Sequence, residues 1–133
     1  MKILVIDDEL VSLAKLKAIF DQYGQCDAVS DGNAALKKFA AAVTRGDLYA
    51  LVTIDIEMPT LSGLDILERL NRIEKENGAA PAVKLMVSGS STRDNVLKAS
   101  KLRCDGFLVK PVTPALVGQK LQSLGIKPSE QPT

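Results

Sequence analysis

The sequence predicts an α/β fold, a single parallel sheet covered by helices on both faces. Two observations carry this expectation. Short, mostly continuous apolar runs suit strands buried on both sides. They alternate with segments of helical period, the pattern of strand-helix units joined by right-handed crossovers. The length, 133 residues, suits one domain with one sizeable core. An apolar fraction of 46% with a net charge of +1 argues against a disordered chain.

The first run covers residues 3–6 and meets acid at Asp7. It is too short for a signal-peptide core or a membrane span, so a soluble, cytoplasmic protein is expected. A helix follows over about residues 10–23, with Leu13, Leu16 and Phe20 inward. A weaker run at 26–29 leads into a second helix, where Leu36, Phe39, Ala40 and Val43 fall at i, i+3, i+4, i+7. The run at 51–54 precedes a third helix with the stripe Ile66, Leu67, Leu70 and Ile73. Ser62 and Asp65 make a capping box at its start, and Glu68 with Arg72 an i,i+4 ion pair on its wet face. The run at 83–87 is interrupted by Lys84. A fourth helix is expected over 92–102, then a run at 107–109. The last helix has Thr113 as N-cap, Pro114 in its first position and Gly125 at its end. Residues 126–133 form a polar tail or the start of a linker, leaving residues 1–125 as the domain.

Composition excludes several chemistries. There is no histidine, which removes Ser-His and Cys-His catalysis and His-ligated metals. Cys26 and Cys104 are too far apart for a zinc or CxxC motif and are expected to be reduced thiols. With 17 basic and 16 acidic residues, no surface dedicated to nucleic acid or a membrane is expected.

The residues after each run carry the chemistry. Asp7, Asp8 and Glu9 follow the first, Asp55 the third, Ser88 the fourth and Lys110 the fifth. All strand C-termini of a parallel sheet share one edge, where open α/β folds bind ligands. Singly, Asp7 or Asp8 could cap a helix, Asp55 could be a turn acid, Ser88 a loop residue and Lys110 a solvated strand end. Together they place carboxylates, a hydroxyl and an ammonium on one edge. Clustered carboxylates raise one another's pKa, and a hard divalent cation relieves that cost. Oxygen ligands without His or Cys point to Mg²⁺. Lys110 and Ser88 suit phosphoryl oxygens. With histidine absent, the candidate nucleophile is a carboxylate, and Asp55 is the central one.

Asp7-Asp8 after the first run, Asp55-Ile56-Glu57-Met58-Pro59 with Ser62-Gly63-Leu64-Asp65, Ser88, and Phe107-Leu108-Val109-Lys110-Pro111 resemble the receiver domain of two-component response regulators, of the chemotaxis-regulator kind. The resemblance covers about residues 1–125. It implies a doubly wound, flavodoxin-like domain of five strands in the order 2-1-3-4-5 with five helices. It implies a phosphoacceptor that assists its own phosphorylation and dephosphorylation rather than an enzyme with independent turnover. The donor would be a sensor histidine kinase or a phosphotransfer protein, and the acceptor Asp55. Asp8, Asp55 and the backbone carbonyl of Glu57 would hold Mg²⁺, or Mn²⁺ in its place, with Asp7 acting through water. Lys110 and Ser88 would bind the phosphoryl group. Ser88 and Phe107 would form a switch that remodels a face of helix 4, strand 5 and helix 5, read by a downstream protein.

Some positions depart from the family pattern. Ser88 stands where Thr is common, Phe107 lacks a tyrosine hydroxyl, and Cys104-Asp105-Gly106 replaces a more usual Gly-Ala pattern. Other classes fit less well. An aspartyl phosphatase would pair Asp7 with Glu9 but lacks the following Thr. A nucleotide-binding module would need a glycine-rich or hydroxyl-rich loop where Asp7-Asp8-Glu9 stands. The full residue set argues against a degenerate scaffold. No output domain fits after residue 125, so the chain is expected to be a single-domain regulator or a piece of a longer one.

Overall fold

The computed structural model describes residues 1–89 and 93–128. The elements in order are β1 (Lys2–Ile6), α1 (Leu10–Phe20), β2 (Gln25–Val29), α2 (Gly32–Arg45), β3 (Leu51–Asp55), α3 (Gly63–Asn77), β4 (Val83–Ser88), α4 (Arg93–Lys101), β5 (Gly106–Val109) and α5 (Pro114–Ser123). The five strands form one sheet in the order β2-β1-β3-β4-β5, every pairing parallel. This is the doubly wound, flavodoxin-like arrangement.

The continuous apolar runs are explained by two cores. In β1, Ile3 and Val5 join Leu13, Leu16, Phe20, Val117 and Leu121 in a layer under α1 and α5. Leu4 and Ile6 point the other way, into a layer with Phe39, Ile66, Leu67 and Leu70 from α2 and α3. A strand with helices on both faces has no wet side to leave polar. The edge strands differ. In β2 only Cys26 and Val29 are buried, and in β5 Val109 is exposed, because each lacks a neighbour on one side. Ile126 packs against the α1/α5 layer just beyond the last helix.

Three details depart from the sequence expectations. First, α1 ends at Phe20, and residues 21–23 form a turn that still buries Tyr23. Second, the buried face of α2 is Gly32, Ala35, Phe39 and Ala42, while Leu36 and Val43 are only half-buried. The face is rotated toward its small residues because α2 and α3 approach closely. A Cβ on Gly32 would lie 2.9 Å from Ile66 Cδ1. Third, Lys84 is no flaw in β4 but a buried residue, paired with Glu74 on α3 at 2.5 Å. Thr92 and residues 129–133 lie outside the described residues.

Caps follow the sequence. Ser62 Oγ accepts from the Asp65 amide at 3.2 Å, and Thr113 Oγ1 from the Leu116 amide at 3.2 Å. The expected Glu68–Arg72 pair is present at 3.2 Å. The N-cap of α1 is Glu9, without a side-chain cap, so neither Asp7 nor Asp8 occupies that position.

Candidate phosphoacceptor and metal site

Strand pairing carries on past the strand ends and aims the polar residues. The Asp7 amide donates to Val29 O, the Ile56 amide to Val87 O, and the Lys110 amide to Ser88 O. These bonds hold the ends of β1, β3, β4 and β5 at one edge of the sheet. Asp7, Asp8 and Asp55 each offer a carboxylate oxygen there, all within 4.8 Å of one another. Lys110 Nζ lies 3.0 Å from Asp7 Oδ2 and 3.6 Å from Asp55 Oδ2. An open cavity of about 740 Å³ lies over the cluster, lined by Asp8, Glu9, Asp55, Glu57, Gly89 and Lys110.

The three acids are not equivalent. Asp8 is exposed, whereas Asp7 and Asp55 are buried. Burial works to raise Asp7, but the Glu9 amide, the Ser12 hydroxyl and the Lys110 ammonium outweigh it and hold the carboxyl below its usual range. Asp55 moves the other way. Burial first, and then the Asp7 carboxylate, push it up to about 7 against the pull of Lys110 and the Glu57 amide. Lys110 is itself raised, since Asp7 and Asp55 outweigh its partial burial. One ammonium therefore does not balance the acids. An all-oxygen donor set with uncompensated negative charge fits a hard divalent cation. Asp7, Asp8 and Asp55 are the side chains that could hold one.

The start of α3 is seated directly on the backbone beneath this cluster. The Gly63 amide donates to Ile56 O at 3.0 Å. A Cβ on Gly63 would lie 2.3 Å from Asp55 O and 2.7 Å from Ile56 Cα, so only glycine fits.

Response regulator receiver domains match the chain over residues 3–122. The chain belongs to this family. As a receiver domain it is 29% identical over 126 residues to chemotaxis protein CheY-3 of Vibrio cholerae, covering 93% of this chain and 91% of that protein. It is 28% identical over 130 residues to hybrid signal transduction histidine kinase L of Dictyostelium discoideum, of whose length it spans only 7%. Among solved structures, the CheX–CheY complex of Borrelia burgdorferi with BeF₃ and Mg²⁺ is similar at a TM-score of 0.79 and 25% identity, over 96% of this chain and 90% of that one. The receiver domain of histidine kinase CKI1 from Arabidopsis thaliana, complexed with Mg²⁺ and BeF₃⁻, shares the fold at a TM-score of 0.78 and 19% identity, over 91% and 89%. No helix among the described residues is long and apolar enough to cross a membrane.

The receiver fold brings Asp7, Asp8, Asp55 and Lys110 together as the strand-end argument requires. Ser88 is fully buried at the end of β4, and its hydroxyl donates to the Glu57 carboxylate. The family resemblance implies a role for Glu57 only through its backbone carbonyl, and the side-chain contact has no signature in spacing. Phe107 lies apart from the cluster on β5, half-buried against the α2/α3 layer rather than exposed. The Lys84–Glu74 pair was also missed, although a signal existed. Glu74 falls four residues after Leu70, on the inward stripe of α3.

Proposed function

We propose that this receiver domain accepts a phosphoryl group on Asp55 from the phosphohistidine of a sensor histidine kinase or phosphotransfer protein. The observation that carries the reading is Asp55 itself, 2% exposed at the end of the central strand, with Asp7, Asp8 and the Lys110 ammonium around it. An Asp55 carboxylate oxygen bonds to phosphorus as the phosphorus–nitrogen bond to the donor imidazole breaks. Lys110 places its ammonium where the phosphoryl oxygens arrive, and Ser88 offers a hydroxyl to them. Asp8, Asp55 and the Glu57 carbonyl, with Asp7 acting through water, would hold Mg²⁺, or Mn²⁺ in its place, which would supply positive charge to neutralise carboxylates and phosphoryl oxygens together. The same groups assist hydrolysis of the aspartyl phosphate, so the domain resets without independent turnover of a substrate.

Residues 1–125 form the signalling unit, with 126–133 as tail or linker. A downstream protein reads the face of α4, β5 and α5, which exposes Leu97, Val109 and Leu116. No nucleic acid or membrane takes part in this reading.

A small phosphoramidate or acyl phosphate with Mg²⁺ tests it. Intact mass should rise by about 80 Da, one phosphoryl group. Asp55→Asn should abolish the gain, and so should excess EDTA. Stoichiometric labelling of Asp55→Asn would overturn the assignment.

A further inference from the structure

The Glu57 side chain makes a contact that the phosphoacceptor chemistry does not use. Its carboxylate accepts the hydroxyl of Ser88, which is fully buried, while Glu57 itself is exposed and lines the cavity over Asp55. The Glu57 amide meanwhile donates to Asp55 Oδ1 at 3.2 Å. One residue thus touches the acceptor through its backbone and the hydroxyl through its side chain. A serine has one donor hydrogen. It can serve the Glu57 carboxylate or a phosphoryl oxygen on Asp55, and not both. The existing bond is charge-assisted and satisfies a buried polar group, so giving it up has a cost.

We propose that the Glu57 side chain is a latch: it holds the Ser88 hydroxyl in the resting state and must release it before Ser88 can engage a phosphoryl group. The proposal rests on the reading of Asp55 as phosphoacceptor. It gives Glu57 a regulatory role distinct from that of its carbonyl. Release is simple for Glu57, because an exposed carboxylate exchanges its partner for water. The latch ties the loop after β3 to the end of β4, and its opening releases the Ser88 hydroxyl from the Glu57 carboxylate. It favours the unphosphorylated form and thereby raises the threshold for activation.

The test is the affinity for beryllofluoride, a phosphoryl mimic, measured by titration calorimetry at saturating Mg²⁺. Five proteins are compared: the parent, Glu57→Ala, Ser88→Ala, the double variant of Glu57 and Ser88, and Asp55→Asn. Removing a competing charge-assisted bond should tighten binding about tenfold in Glu57→Ala. In the Ser88→Ala background the same change should have little effect, because the latched hydroxyl is gone. An unchanged or weaker affinity in Glu57→Ala would overturn the latch. A gain that persists undiminished without Ser88 would do so too, since it would report charge repulsion alone. Asp55→Asn separates the two readings. If it loses the mimic while Glu57→Ala matches the parent, only the latch falls. If the parent binds no mimic, or Asp55→Asn binds as well as the parent, the phosphoacceptor reading falls and takes the latch with it. Amide resonances of the β1, β3 and β4 core, dispersed as in the parent without metal, report in every variant that the fold is intact.

Discussion

Asp7 and Asp55 lie side by side, yet their environments drive them in opposite directions, and this has a consequence for stability. The folded pKa of Asp55, about 7, stands above its ordinary value of 3.8. Its contribution to stability is therefore complete below about pH 4 and is lost as pH rises through about 7. Asp7 has the opposite sign, its contribution present above 3.8 and lost only in stronger acid. Metal-free protein should lose stability between pH 5 and 8, by a few kcal/mol at most. Saturating Mg²⁺ should remove that loss, and Asp55→Asn should flatten it without metal. Thermal melts at fixed ionic strength, with and without EDTA, check this. A metal-free melting temperature that rises from pH 5 to 8 would contradict it. At this scale the sequence was largely legible, since Asp7, Asp8, Asp55, Ser88 and Lys110 each follow an apolar run. The inequality of the acids was not, because it depends on which carboxylate the Glu9 amide and Ser12 hydroxyl reach.

Between elements, the most distinctive join is the one under α3, β4 and β5. Lys84 Nζ donates to Glu74 Oε1 and to Ala82 O, and Glu74 Oε2 accepts the Ala82 amide at 2.7 Å. Asp105 accepts from the Lys84 amide at 2.8 Å, which brings in the entry to β5. A buried pair adds little over apolar residues of equal size, but breaking it strands a charge at a cost of about 3–5 kcal/mol. Lys84→Met and Glu74→Leu should each lower the free energy of unfolding in urea by about that much. Glu74→Leu should be the worse, because it also orphans the Ala82 amide. The double variant should recover a large part of the loss. A double variant equal to the sum of the singles would show that the two side chains are not coupled. Lys84 looks like a defect in an apolar run only when the run is read alone. Set beside Glu74 on the inward stripe of α3, it is half of a pair, and linear periodicity does not reveal which strand faces which helix.

At the scale of the whole molecule, β5 is an edge strand that leads directly into the site residue Lys110. Phe107 packs toward the α2/α3 layer and Leu108 toward the α1/α5 layer, so adjacent residues touch both cores next to Lys110. Beryllofluoride with Mg²⁺ should shift amide resonances along α4, β5 and α5, and Ser88→Ala should reduce those shifts. Shifts confined to the loops around Asp55 would refute a switch through Phe107. Because that ring is already half-buried, its further burial can supply only part of the roughly 1.5–3 kcal/mol of a full transfer. The strand order followed from the family resemblance, whereas residue patterns alone predicted only alternation and a shared edge. The rotation of α2 escaped them because close helix approach is set by small residues, which carry little hydrophobic signal. The seat of Gly63 against the Asp55 carbonyl bears on how such a site could be moved. An engineer transplanting it into another scaffold could not graft the aspartate alone. The loop over residues 55–63 and the first turn of its helix would have to travel as one cassette, with glycine kept at the splice.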